Sequence, residues 1–160
     1  MIYTHKRKEF KMEIQFKEEK KDLWEYYEKD PGAKVFININ GTLKQNGQLV
    51  MGRGNAKKAK DIIPNAPIII GQALAKNGLQ VMYFESIKIG IFPVKTQWYL
   101  NADLVLIENS AKQLKNIADN SKWDKIVLDR PGYDEGGLEW EVVKKVLSQY
   151  FDSRFIILGK

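Results

Sequence analysis

The sequence predicts an α/β protein, a three-layer α/β/α sandwich with a mixed central sheet. Two observations lead there. From residue 34 onward, short apolar or β-branched runs alternate with amphipathic helical stretches. Two glycine-bearing segments, residues 49–60 and 130–140, stand where a strand should pass into a helix. Glycine lets the backbone take positive φ and approach a ligand closely. A helix N-terminus adds unpaired N–H groups and a positive dipole end that suit a phosphate. Both segments follow strands, so they can meet at the carboxyl edge of the sheet, where such folds bind ligands. Two such loops point to a site for two linked phosphates.

The elements follow in order. Residues 11–17 read as a strand, with Met12, Ile14 and Phe16 alternating against Glu13 and Gln15. Residues 22–29 make a short helix or loop, and Asp30-Pro31-Gly32 a turn. The apolar run 34–40 is a buried strand, and 41–48 a loop in which Asn46-Gly47 forms a tight turn or small hairpin. Helices are expected at 54–62, stopped by Pro64, and at 66–76, opened near Pro67 and closed by Asn77-Gly78. Strands at 79–85 and 87–94 come next. The helix at 103–120 has the clearest periodicity, with Leu104, Ile107, Ala111, Leu114 and Ala118 on one face. A strand at 125–128, a helix at 138–151 with Val142, Val143, Val146 and Leu147 facing inward, and a strand at 154–158 complete the pattern.

Residues 1–160 are expected to form one domain, with residues 1–10 a candidate disordered basic N-terminus. No apolar run reaches the length of a membrane span, and the first residues lack the apolar stretch of a signal peptide. A cytoplasmic monomer with no membrane partner is the expectation. The chain has no cysteine, which excludes disulfides, thiolate catalysis and cysteine zinc sites. Its one histidine, His5, lies in the N-terminal segment, so Ser-His-Asp chemistry is excluded as well. No metal site or cofactor is expected, and any chemistry must use carboxylates, lysines, hydroxyls or water. The net charge of +6 reads either as attraction to a polyanion, with nucleic acid as a candidate partner, or as a solvated basic face.

Four stretches carry candidate chemistry. The Met51-Gly52-Arg53-Gly54 loop is neither a Walker A loop, lacking the following Lys-Ser/Thr pair, nor a Rossmann fingerprint, lacking the third glycine. It is a phosphate loop or a tight turn before a helix. Gly132, Gly136 and Gly137 fall within six residues, more glycine than turn geometry alone requires. Lys95, just past Pro93 at a strand end, could bind anionic charge or, if desolvated, act as a nucleophile or base. The alternative is a surface lysine. Asn38 and Asn40 end a buried strand, where their amides must find protein partners or a ligand. Trp140 reads as helix core.

Taken together, residues 36–43, 49–56, 92–98 and 130–140 resemble the macro domain family, and within it the bacterial and phage branch related to the antitoxin that removes ADP-ribose from DNA. The resemblance spans residues 34–158. It implies an ADP-ribose site. Gly52, Arg53, Gly54, Asn55 and Ala56 would run beside the distal ribose and diphosphate. Arg130, Pro131, Gly132, Tyr133, Asp134, Glu135, Gly136 and Gly137 would wrap the phosphates through backbone N–H groups. Asn38, with Asn40 beside it, would face the distal ribose, and Lys95 would lie near the anomeric carbon as the catalytic residue. Asp134 stands where relatives carry glycine, and it and Glu135 add negative charge near a diphosphate. Gly136 stands where one lysine-using branch carries an aspartate. Asp22 is a loose candidate for the acid that reads the adenine. The implied activity is an ADP-ribosyl hydrolase acting on modified DNA or protein. The alternatives are a non-catalytic ADP-ribose binding module, a phosphatase acting on ADP-ribose-1''-phosphate, and a basic nucleic-acid-binding protein.

Overall fold

The computed structural model describes residues 13–133 and 136–159. The predicted basic N-terminus and the pair Asp134 and Glu135 lie outside the described residues. The elements are β1 (Lys17–Glu19), α1 (Leu23–Lys29), β2 (Lys34–Ile39), α2 (Gly54–Ile62), α3 (Ala66–Asn77), β3 (Met82–Phe84), β4 (Ile89–Pro93), α4 (Leu104–Ser121), β5 (Ile126–Asp129), α5 (Trp140–Leu147) and β6 (Phe155–Leu158). The six strands form one mixed sheet in the order β1-β6-β5-β2-β4-β3. All neighbours pair in parallel except β3, which runs antiparallel to β4 at the edge.

Strand β2 shows why the sheet is covered on both sides. Val35, Phe36, Ile37 and Ile39 are all at most 2% exposed, as the inner strands of a parallel sheet require. Successive side chains point to opposite faces. Phe36, Phe92, Leu128 and Phe155 pack on one face with Ile107, Ala111 and Leu114 of α4 and Val143 and Leu147 of α5. Val35, Ile37, Ile91 and Val127 pack on the other with Leu23 and Trp24 of α1, Ala59 of α2 and Ile70 and Leu74 of α3. The expected three-layer architecture is therefore observed.

Local chemistry sets the helix ends. The Asp22 carboxylate accepts from the Trp24 amide at 3.3 Å and opens α1, and that of Asp103 accepts from the Val105 and Leu106 amides at 2.9 and 3.3 Å and opens α4. Within the expected loop a small hairpin forms, closed by a bridge between Leu43 and Leu49, with Gly47 at φ +82°.

The first strand differs from expectation. It lies at Lys17–Glu19, while Ile14 is 40% exposed and Phe16 turns into the core against Trp140, ring centroids 6.3 Å apart. A charged three-residue strand serves at the edge because its backbone alone pairs with β6. Strands β3 and β4 are shorter than expected, because residues 85–88 are spent on a turn with Lys88 at φ +55°. Helix α5 stops at Leu147, and Val142 is exposed rather than inward. Trp140, Val143 and Leu147 form its buried stripe, which leaves Val142 on the opposite side.

Gly90 of β4 lies under the Phe36 ring, and a Cβ there would come within 2.2 Å of it. Gly90→Ala is expected to lower stability by about 1–3 kcal/mol in a denaturant melt. Adding Phe36→Leu to that variant should recover part of the loss.

Candidate functional site

Strand β2 lies between β4 and β5. The chain leaves β2 through α2 and α3 on one face to reach β4, then crosses by α4 on the other face to β5. Such a reversal opens a crevice at the carboxyl ends of the strands. A cleft of about 630 Å³ occupies that place, within the usual range for a small-molecule site.

The end of β2 supplies its floor. The Asn38 amide donates to the Asp129 and Arg130 carbonyls at 3.3 and 3.4 Å, while its Oδ1 is buried with no hydrogen-bond partner among the described residues. Asn40 is used differently. Its amide donates to the Val50 carbonyl at 3.0 Å and its oxygen accepts from the Thr42 amide at 2.8 Å, so it pins the two loops it touches.

Gly52, Arg53, Gly54, Asn55 and Ala56 all line one wall. Arg53 is the N-cap of α2 and its side chain makes no capping hydrogen bond, and residues 52–56 put the positive dipole end of the helix in the cleft lining. A Cβ at Gly52 would meet nothing within 4 Å, and Gly54 takes φ +56°. The Asn55 side chain is a clamp. Its oxygen accepts from the Trp24 indole at 2.9 Å, and its amide donates to the Asp129 carboxylate.

Arg130, Gly132, Tyr133 and Gly136 line the opposite wall. The Arg130 guanidinium lies over the rings of Tyr133 and Trp140, 5.3 and 4.8 Å from their centroids. Glu18 faces it at 3.6 Å and also accepts from Lys144 at 2.8 Å and the Trp140 indole at 3.0 Å. Burial alone would raise the Glu18 carboxyl. The hydrogen bonds from Lys144 and Trp140, with the charges of Lys144 and Arg130, outweigh it and hold the group below its ordinary range. The glycines here have packing reasons that the sequence did not reveal. A Cβ at Gly132, which takes φ +72°, would fall 2.8 Å from Ile107, and one at Gly136 would fall 2.9 Å from Ala102. Gly137 takes φ +77°. Pro131 and Gly137 are outside the cleft lining, and the buried Trp140 belongs to the core as expected.

Lys95 closes the third side with Val94 and Trp98. The Val94 amide donates to Ile39 at 3.0 Å, tying this segment to β2. The Thr42 hydroxyl donates to Gln97 at 2.6 Å and accepts from the Trp98 amide at 2.9 Å. Lys95 is half-buried and lines the cleft between Val94 and this anchored segment.

A smaller cleft of about 250 Å³ adjoins the first and shares Asn55, Lys58, Asp129, Arg130 and Tyr133 with it. Lys21 and Asp22 line only the smaller one, and Lys95 only the larger. Asp22 pairs with Lys58 at 3.7 Å besides capping α1. Asp129 is a lining residue that the sequence did not single out, while Lys58, Val94 and Trp98 fall in stretches it marked without giving them a role. Asp129 was hidden because the strand was expected to stop at Leu128. Its position directly before Arg130 was the available signal. Among the described residues no cluster of acids or histidine could hold a metal ion, and no helix is long and apolar enough to cross a membrane.

No family model and no curated protein matches the chain in sequence. Solved structures do match. The chain is similar to the macrodomain of Thermus aquaticus DarG and to the macrodomain of Mycobacterium tuberculosis DarG, each at 19% identity and TM-score 0.72, covering 91% of this chain and 98% of that one. It is also similar to Thermosipho africanus DarTG in complex with ADP-ribose, at 18% identity and TM-score 0.69, covering 93% of this chain and 43% of that one. The fold is that of a macrodomain, as the sequence resemblance implied.

Glu18 links this site to acid stability. A carboxyl whose folded pKa is depressed stabilises the protein above its unfolded pKa, and that contribution disappears as pH falls through the folded value. Glu18→Gln should therefore lower the melting temperature at pH 7, and the gap from the parent should close below pH 4.5.

Proposed function

We propose that this protein binds ADP-ribose in the larger cleft and hydrolyses the bond that joins it to a modified macromolecule. The observation that carries the reading is the α2 N-terminus, where the N-cap residue Arg53 makes no capping hydrogen bond with its side chain, open at Gly52 and set in the lining of a cleft that Lys95 also lines. A diphosphate suits the dipole end and the backbone N–H groups of residues 52–56. The two joined clefts give room for an elongated ligand with its diphosphate near the middle. The similar DarTG structure is a complex with ADP-ribose, which supports the same ligand here.

In this reading the distal ribose lies over Asn38, whose unpartnered Oδ1 accepts from a sugar hydroxyl. Lys95 then stands at the anomeric carbon, where its amine attacks that carbon or its ammonium polarises the bond to the leaving group. The bond between the anomeric carbon and the carried group breaks. Water supplies hydroxide to the sugar and a proton to the leaving group. Positive charge developing on the sugar gains from the fixed diphosphate beside it. The basic net charge suits a nucleic-acid-linked substrate.

Calorimetric titration with ADP-ribose, with ATP and NAD as controls, tests the binding step, and selective binding of ADP-ribose is expected. Gly52→Glu places a carboxylate in open space against the diphosphate, so affinity should fall about tenfold or more with no change in melting temperature. Lys95→Ala should abolish release of ADP-ribose from modified DNA or protein while leaving affinity for free ADP-ribose within about threefold. A parent protein that binds ADP-ribose but releases none from any modified substrate would be a binding module instead.

A further inference from the structure

Lys95 stands outside any strand or helix, on the stretch between the end of β4 and the start of α4. Such a stretch is held in place by contacts from other segments. Just before Lys95, the Val94 amide donates to the Ile39 carbonyl at 3.0 Å, and the Val94 carbonyl accepts from the Asp103 amide at 2.8 Å. Just after it, the turn that follows β2 does the holding. The Thr42 hydroxyl donates to Gln97 Oε1 at 2.6 Å and accepts from the Trp98 amide at 2.9 Å. Gly41 lies against the same segment, and a Cβ there would fall 2.7 Å from the Thr96 carbonyl oxygen. The turn is itself fixed. The Thr42 amide donates to Asn40 Oδ1 at 2.8 Å, and the Thr42 carbonyl accepts from the Val50 amide at 2.9 Å.

We propose that Thr42 is a positioning residue for the hydrolysis, its hydroxyl fixing the backbone from which Lys95 reaches the scissile bond. The inference rests on the catalytic role of Lys95 in the reading above. A reacting group is effective when held about 3–3.5 Å from its target, and a misplacement of about 1 Å costs rate steeply. The lysine stem is long and flexible, so the backbone beneath it sets where the amine can reach. A hydroxyl both donates and accepts, so one side chain can join two successive residues. The bonds run from Asn40 through Thr42 to Gln97 and Trp98, which registers the Lys95 segment against the end of β2. Thr42 and Gly41 are both outside the cleft lining, so they act through this segment and not on the ligand.

The test compares Thr42→Val and Thr42→Ser with the wild type. It reads kcat on the modified DNA or protein that the wild type turns over, beside calorimetric affinity for free ADP-ribose. Valine keeps the branched shape and removes the hydroxyl, whereas serine keeps the hydroxyl. Thr42→Val should lower kcat about tenfold while affinity stays within about threefold of wild type. Thr42→Ser should keep kcat within about threefold. Gly41→Ala drives a methyl group against the Thr96 carbonyl and should show the same split as Thr42→Val, which keeps the test intact if that variant does not fold. Wild-type kcat in either folded variant, Thr42→Val or Gly41→Ala, overturns the proposal. So does a Thr42→Ser protein as slow as Thr42→Val, since the hydroxyl is then not what holds the segment. A Thr42→Val protein that loses affinity as far as it loses kcat overturns it too, because Thr42 then acts on the binding wall. A wild type that binds ADP-ribose and releases none overturns the hydrolase reading itself, and this proposal with it, so the two failures are distinguishable.

Discussion

The structure depends on the burial of β2 on both faces. Its side chains alternate between two cores, so helices must cover the sheet above and below. The strand cannot continue past Ile39, because the next residues are polar and neither core has a place for them. Asn40 instead bonds Val50 and Thr42 through its side-chain amide group, and Asn38 donates to the carbonyls of Asp129, the last residue of β5, and of Arg130 just past it. The cleft is the space left where this central strand stops and its neighbours diverge. Gly90 belongs to the same constraint, since the Phe36 ring needs the volume that a side chain there would fill.

Around that space the charges are arranged in partnered layers. Arg130 stands within cation–π distance of two rings, and Glu18 contacts both Arg130 and Lys144. The arrangement holds the guanidinium by cation–π contact with the rings as well as by charge. Across the cleft, Trp24, Asn55 and Asp129 link α1, the start of α2 and the end of β5. The α2 dipole end is thus aimed by a side-chain clamp, not by the backbone alone. A preorganised wall of this kind loses little on binding a ligand, since its donors are already placed.

Much of the fold was legible in the sequence, because period and punctuation carried it. The apolar run at 34–40, the stripe of α4 and the stops at Pro64 and Gly78 each act locally, and the structure has those elements where they were expected. Residues 11–17 and 138–151 were misread where the local pattern was weaker than the tertiary one. Ile14 and Phe16 alternate like strand residues, yet pairing with β6 selects the charged Lys17–Glu19. Val142 looks apolar and inward until Trp140 fixes the rotation of α5.

The sequence by itself determined the architecture and the stretches that meet at one sheet edge, because glycine spacing and hydrophobic period are properties of neighbours in the chain. It also excluded thiol chemistry through composition alone, since the chain has no cysteine. Only the tertiary structure decided which polar side chains face the cleft and which are tied elsewhere. Asn40 is occupied while Asn38 keeps an unpartnered oxygen, and Gly132 and Gly136 answer to Ile107 and Ala102 as well as to the cleft. Asp129 joins the site through Asn55, seventy-four positions away. Partnership of that kind is set by packing between distant segments, which no local spacing encodes.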